Sequence, residues 1–493
     1  MIPLILLASL LAAPAAVSAA PPGPERLFTR GEGFIRAPVN TIPAKIPSLR
    51  PRQNEVLIEN QRTGTRYGVD IAIGTPPQKV TLILDTGSPD TWVNPTCQFA
   101  NVPSDCRAFP RYDYTKSSSV NVTRASDILL YGIGNSTIQY VYETVTIGSA
   151  TITGQLIGVS LESHEIPLGI LGLSPPIRGV NEYPYILDTM QAQGLIKSRA
   201  FSMDLRTVDS EEGALIFGGI DTGKYIGTLA KLPMLPPAQT PRGADRYYVT
   251  MTGVGLTYPD GRIERSQDIN VPVFLDSGGT LSQLPTPIFN AFVASFPDAE
   301  YDPRSGFYFL PCEIADLAGS VDFYFAGKTI RVPFKEFIWH VQGFCVLGVQ
   351  PEDVEPVLGD TFLRAAYVVF DQDNRNLHLA QAANCGTNLV AIGSGSDAVP
   401  SATGRCTAAP RPTPAGAGSN LDLSATRAPA GTFTGAGPTG LGVGPGPAAS
   451  RISTSGKLEP TETGKPNAAG RAFTPELGVL GGMAVVNAMA MVF

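Results

Sequence analysis

Between about residues 53 and 392 the chain is dominated by short runs in which apolar and polar side chains alternate, each bounded by Gly or Pro. Residues 66–73, 80–84, 143–147 and 214–217 are the clearest of these. A period of two sends alternate side chains to opposite faces of an extended segment, so each run predicts a strand with one face in a core. Helical spacing is scarce, with residues 287–295 giving the best instance. The pattern predicts a mostly β body, and about 340 residues suffice for two lobes with separate cores. Gly 52 and Pro 44 supply the turns that such a fold needs and argue against a helical bundle.

The two ends break this pattern. Residues 1–20 hold an apolar run from Ile2 to Val17 and then Ser18, Ala19 and Ala20, the hydrophobic region and small-residue cleavage site of a secretory signal. The run is too short to span about 30 Å of hydrocarbon. Residues 21–52 carry Arg26, Arg30, Arg36, Lys45, Arg50 and Arg52 against Glu25 and Glu32. This basic stretch predicts a removable pro-segment, the alternative being an N-terminal arm that is kept. Residues 393–467 are mostly Ser, Thr, Gly, Pro and Ala, too poor in large apolar groups to offset the entropy of ordering, and predict an O-glycosylated stalk. Small residues at 467–469, a polar spacer and an apolar tail from Leu477 to Phe493 form the three parts of a GPI-attachment signal. They predict Asn467 as the attachment site and loss of residues 468–493. A transmembrane helix is the alternative, disfavoured by Gly478, Gly481, Gly482 and Asn487 and by the lack of a basic flank.

Charge and chemistry narrow the function. A formal net charge of -7 leaves no basic field for nucleic acid phosphates. Only His164, His340 and His378 are present, without the paired spacing of a zinc site, and no Gly-x-Ser-x-Gly elbow marks a serine hydrolase. The loop 218–224 resembles a phosphate loop until Tyr225 replaces the required hydroxyl residue. No metal or other cofactor is expected.

An internal repeat carries the positive signal. Thr81-Leu82-Ile83-Leu84-Asp85-Thr86-Gly87-Ser88 recurs as Val273-Phe274-Leu275-Asp276-Ser277-Gly278-Gly279, and Ile170-Leu171-Gly172 recurs as Val357-Leu358-Gly359. Each Asp precedes the final Gly of its second element by a similar interval, 87 and 83 residues. Two elements repeated in order predict two homologous lobes, 53–230 and 231–392. An Asp at a strand end, followed by a hydroxyl residue and Gly, puts a carboxylate in a tight turn where backbone N–H groups reach it. Two such carboxylates meeting on a pseudo-twofold axis cannot both ionise and share one proton. One then serves as base on a water molecule while the other donates to a carbonyl oxygen.

In these motifs the chain resembles the pepsin-like aspartic proteases, and among them the fungal GPI-anchored, yapsin-like group, from about Tyr67 through Ala382. The resemblance implies a bilobal fold with a cleft between pseudo-symmetric β lobes. It implies catalytic roles for Asp85 and Asp276, supported by Thr86, Gly87, Ser88, Ser277 and Gly278. Leu129-Leu130-Tyr131-Gly132-Ile133-Gly134 looks like the family's substrate-covering flap, with Tyr131 as its ring, Gly132 and Gly134 in its tip and Trp92 as the indole that bonds the ring. Leu215 to Asp221 and Leu358 to Arg364 resemble further signatures of the family. The family's bridges imply Cys97 with Cys106 and Cys312 with Cys345, which leaves Cys385 with Cys406 to tie the stalk base to the body.

Two departures stand out. The family usually has Ser or Thr one residue after each Gly of the pair; Ser88 fits, but Gly279 does not, which predicts a raised pKa for the pair. The sequon Asn135-Ser136-Thr137 falls beside the flap tip, where a glycan would obstruct substrate, whereas the sequon at Asn121 is unobstructed. The expected protein is a monomeric, secreted, surface-tethered endopeptidase acting on peptides in acid. The alternative is an inactive pepsin-like binding or wall protein. The loop 98–105 has Asp105 as its one acidic residue, unlike the long acidic insertions of several yapsin-like enzymes, and predicts a broad preference that includes hydrophobic residues.

Overall fold

A computed structural model describes residues 30–31, 33–42, 66–407 except 133, 177–182, 211, 304 and 342, and residues 419–421. The expected signal, most of the stalk, Asn467 and the terminal tail lie outside the described residues. The alternating runs become strands: Arg66–Ile73, Gln78–Asp85, Asn135–Ile147 and Glu212–Phe217, and the helical run becomes Thr286–Ser295. The mostly β architecture expected from the pattern is present.

One large sheet runs through the molecule. From Gln78–Asp85 it passes through Arg66–Ile73, Phe34–Ile42, Glu212–Phe217 and Ala200–Asp204 to Ala366–Asp371 and Asn376–Ala382. Each of these neighbours is antiparallel. The last two strands come from the C-terminal half, so the halves share a central sheet. The division at residue 230 therefore needs correcting, since it falls inside the strand Tyr225–Pro233, which also belongs to this sheet. Phe34–Ile42, inside the expected pro-segment, occupies an inner position with both edges paired and Ile35, Ala37 and Val39 buried. It does not lie free as an arm.

The repeat is reproduced in the pairing. Gln78–Asp85 lies parallel to Gly169–Gly172, with Leu84 opposite Leu171 and Asp85 opposite Gly172. Val271–Leu275 lies parallel to Val357–Leu358, with Leu275 opposite Leu358. In each half the next strand runs antiparallel to the second element, through Trp92 opposite Ile170 and Gln283 opposite Val357. Each Asp strand is thus held from the side by the second element of its own repeat.

The expected start of the stalk at residue 393 is also corrected. Ile392, Ala398 and Val399 pack with Tyr225, Tyr367 and Val369, and Thr403–Arg405 pairs with the strand Tyr225–Pro233. The small side chains of this stretch fit a shallow core that its composition conceals, and the Cys385–Cys406 bridge holds it down. Cys97 is bonded to Cys106 and Cys312 to Cys345. Among the described residues no helix is long and apolar enough to cross a membrane.

Asp204 ends a central strand with 2% of its surface exposed, and Arg206 stands 3.6 Å from it. Burial pushes its carboxyl up to about 6, with Arg206 opposing. A raised folded pKa means that the stability this group contributes is complete below its unfolded value near 4 and is lost as pH rises through 6. Wild-type protein should therefore lose roughly 2–3 kcal/mol through this one group between pH 4 and 7. Denaturant titrations at both pH values should show that loss shrinking in Asp204→Asn.

Candidate active site

Leu82 and Leu84 are buried on the strand that delivers Asp85, and the Asp85 carbonyl accepts from Leu173 N–H at 2.8 Å. Asp276 follows Leu275, and its N–H donates to the Leu358 carbonyl at 3.1 Å. Both aspartates are therefore fixed at strand ends by their repeat partners. The two turns interlock: Ser277 N–H donates to Thr86 Oγ1 at 3.0 Å, and Thr86 N–H donates to Ser277 Oγ at 3.2 Å. Each hydroxyl then donates across the boundary, Thr86 to the Leu275 carbonyl and Ser277 to the Leu84 carbonyl, both at 2.9 Å.

This interlock sets the two carboxyl groups against each other, and each acts on the other's titration. The glycines make the approach possible. A Cβ on Gly87 would lie 2.5 Å from Asp276 Oδ2, and one on Gly278 would lie 2.7 Å from Asp85 Oδ1. Asp85 accepts from Gly87 N–H at 2.7 Å and from the Ser88 hydroxyl. Asp276 accepts from Gly278 N–H at 2.8 Å.

The two environments differ accordingly. Burial raises both carboxyls, but at Asp85 the Ser88 and Gly87 donors work against that rise. Asp276 is driven well above the ordinary carboxylate range by burial and then by the charge of Asp85. The surroundings therefore favour the shared proton on Asp276 over Asp85.

Above the pair, strands Asn121–Leu130 and Asn135–Ile147 form a hairpin, with Leu130 opposite Asn135 and Tyr131 N–H donating to the Gly134 carbonyl. Gly134 has φ +71°, and a Cβ there would meet the His164 carbonyl. Trp92 Nε1–H donates to Tyr131 Oη at 2.7 Å, and Ser88, whose hydroxyl bonds Asp85, also acts on the tyrosine. Gly132 lies in the same turn. Asn135 is half-buried between Leu130 and His164, while Asn121 is exposed at the far end of the hairpin.

Sequence reasoning missed several neighbours. Asp90 Oδ1 accepts from Tyr140 at 3.0 Å and Tyr183 at 2.5 Å, tying the hairpin's return strand to the Asp85 turn. The Asp90 charge also acts on Tyr131. Asp360 and Arg364 are buried, and the Asp360 carboxyl is driven well above the ordinary range by burial, with Arg364 opposing and the Asp276 charge adding to the rise. Buried Arg246 acts on both aspartates with the opposite sign. Asp360 and Arg364 lie within a motif noted above; for Arg246 and Tyr183 the sequence holds no local signal.

A carboxyl pair on the seam between two repeats, set beneath a hairpin, defines a two-aspartate hydrolytic site. Residues 66–382 match the family model for eukaryotic aspartyl protease, and the chain belongs to that family. It is 33% identical over 383 residues to a probable aspartic-type endopeptidase, opsB, of Aspergillus oryzae, covering 72% of this chain and 76% of that protein. Aspartic proteinase yapsin-3 of Saccharomyces cerevisiae is 32% identical over 360 residues, covering 68% of this chain and 70% of that protein. The crystal structure of an aspartic proteinase from Irpex lacteus superposes with a TM-score of 0.54 at 23% identity, over 71% of this chain and 97% of that one, which speaks to the fold. The protein is an aspartic-type endopeptidase, and its substrates are peptides.

Gly279→Ser restores the missing hydroxyl beside Asp276. A donor to the ionised form lowers the pKa, so the alkaline limb of the kcat/KM profile should move to lower pH, with the acid limb less affected. Rates on one peptide from about pH 3 to 7 measure this directly.

Proposed function

We propose that peptide hydrolysis proceeds through a water molecule held between Asp85 and Asp276, with Asp85 as general base and Asp276 as general acid. The placement of Gly87 and Gly278, each against the opposite carboxyl, is the observation that carries the reading. As the water oxygen bonds to the scissile carbonyl carbon, its proton passes to Asp85 while Asp276 gives its own to the carbonyl oxygen. The tetrahedral diol then collapses. The C–N bond breaks, the leaving nitrogen takes the proton from Asp85, and Asp276 regains one from the diol. Amine and carboxylic acid leave, and the pair returns to its starting state. No covalent intermediate is required. Thr86 and Ser277 position the turns, and Tyr131, held by Trp92, covers the substrate from the hairpin.

An acidic optimum follows from a pair that needs one proton. The reading extends to a monomer made with a signal over 1–20 and a pro-segment over 21–52, secreted, and held at the outer face of the plasma membrane or wall by a lipid on Asn467. Glycans on the exposed Asn121 and the half-buried Asn135 belong to the same proposal. Names of fungal relatives such as yapsin-3 support a secretory route. The preference is broad and includes hydrophobic residues. Supporting this, the loop 98–105 between Cys97 and Cys106 carries Asp105 as its one acidic residue. The inactive-fold alternative rests on Gly279, and the retention of both carboxyls, both interlocking hydroxyls and Tyr131 supports an active site instead.

Asp85→Asn and Asp276→Asn should each lower kcat/KM by roughly 100- to 10,000-fold with secretion unchanged. Undiminished cleavage by either variant overturns the assignment. A mixed peptide library should show cleavage at apolar positions; cleavage only after Lys or Arg contradicts the broad preference. Removing residues 468–493 should release the enzyme into the medium.

A further inference from the structure

Tyr248–Met251 pairs antiparallel with Val271–Leu275, with Tyr248 opposite Phe274 and Met251 opposite Val271. Continued two residues past the strand end, that register brings Arg246 level with Asp276. The continuation is supported by Leu275 N–H donating to the Tyr247 carbonyl at 3.4 Å. The Arg246 guanidinium carbon stands 5.3 Å from the Phe274 ring centre, two residues before Asp276, and the residue is 4% exposed. Burying a guanidinium is costly unless negative charge lies nearby. Its charge acts on Asp85, Asp276 and Glu355, the last also approached by Arg242 at 3.5 Å.

We propose that Arg246 is a positioning residue for peptide hydrolysis, a permanent buried cation that keeps the Asp85 and Asp276 pair singly ionised in acid and offsets the hydroxyl missing at Gly279. This rests on the two-aspartate mechanism above. Arginine suits the task because it does not deprotonate in a protein, so its field is constant across the working range. Other charges facing the pair are Asp90 beside Tyr131 on the hairpin side and Asp360 with Arg364 behind Asp276. Around Arg246 itself stand Glu355, Arg242 and Tyr248. Arg364 opposes the Asp360 charge, and Arg246 with Arg242 opposes that of Glu355.

The sign is fixed. A cation favours the ionised carboxyls and lowers their pKa values, so removing it raises them. Arg246→Met should move both limbs of the kcat/KM profile to higher pH by about 1 unit on an uncharged peptide. Arg246→Lys, which keeps the charge, should leave the limbs near wild type. Glu355→Gln removes an anion that competes for Arg246 once Glu355 has ionised, and should move the alkaline limb to lower pH. Carbon-13 titration of labelled Asp carboxyls in the whole protein reads the same displacements without turnover, so a wild type that failed to hydrolyse peptides would sink the mechanism and leave this test standing. Limbs and titrations unmoved in a folded Arg246→Met protein overturn the proposal, as does an equal displacement in Arg246→Lys. Should Arg246→Met fail to fold, Glu355→Gln decides by its direction, and no shift or an upward one overturns the proposal.

Discussion

Thr86 and Ser277 exchange backbone and side-chain hydrogen bonds across the junction of the two repeats, and every other feature of the site depends on that exchange. Both groups are buried, so an unmade bond would cost the desolvation of its donor or acceptor. The turns therefore have one favourable relative position. That position forces each glycine against the opposite carboxyl, and only the lack of a side chain at Gly87 and Gly278 lets the two acids approach. The carboxyl pair is thus a consequence of backbone geometry in two distant segments, more than of attraction between the acids, which repel when both are charged.

A symmetric frame with asymmetric surroundings produces the division of labour. Ser88 has no hydroxyl counterpart at Gly279, Tyr131 reaches the pair from the first repeat's side, and Asp360 stands behind Asp276. The Ser88 donor, present at one carboxyl and without a counterpart at the other, favours charge on Asp85 and the proton on Asp276. Separating the two pKa values widens the pH interval in which one acid and one base coexist.

Much of this was legible in the sequence because it is local. An Asp, a hydroxyl residue and Gly after an apolar strand report a turn from adjacent positions, and the second element of each repeat reports which strand braces it. The hairpin and its tyrosine were legible for the same reason. Arg246 was not, because its relation to Asp276 arises from antiparallel register between segments about thirty residues apart. Asp90 with Tyr140 and Tyr183 was hidden likewise, being assembled from three separate stretches. The inner place of Phe34–Ile42 and the folded stretch beyond residue 392 were concealed by composition. One lies in a basic segment, and the other is built of small residues whose core needs a disulfide and neighbouring aromatic rings.

The acids away from the pair follow the same electrostatic logic. Burial raises the carboxyls of Glu336, Glu355 and Asp360, with nearby arginines opposing it in each case. A buried acid with a raised pKa is least costly when protonated, so these groups destabilise the fold increasingly as pH rises above their unfolded values. Acids nearer the surface with donors beside them, such as Asp113 bonded by Thr115 and Lys116 and Asp373 bonded by Arg199, are lowered and act in the opposite sense, losing their contribution as they protonate in strong acid. The interior thus favours a moderately acidic medium, while the surface pairs set a limit below it. A site that needs one shared proton and a core in which Glu336, Glu355 and Asp360 are least costly when protonated ask for the same conditions. The common cause is low polarity around carboxyl groups, which tunes the dyad and biases the stability of the whole body in a single direction.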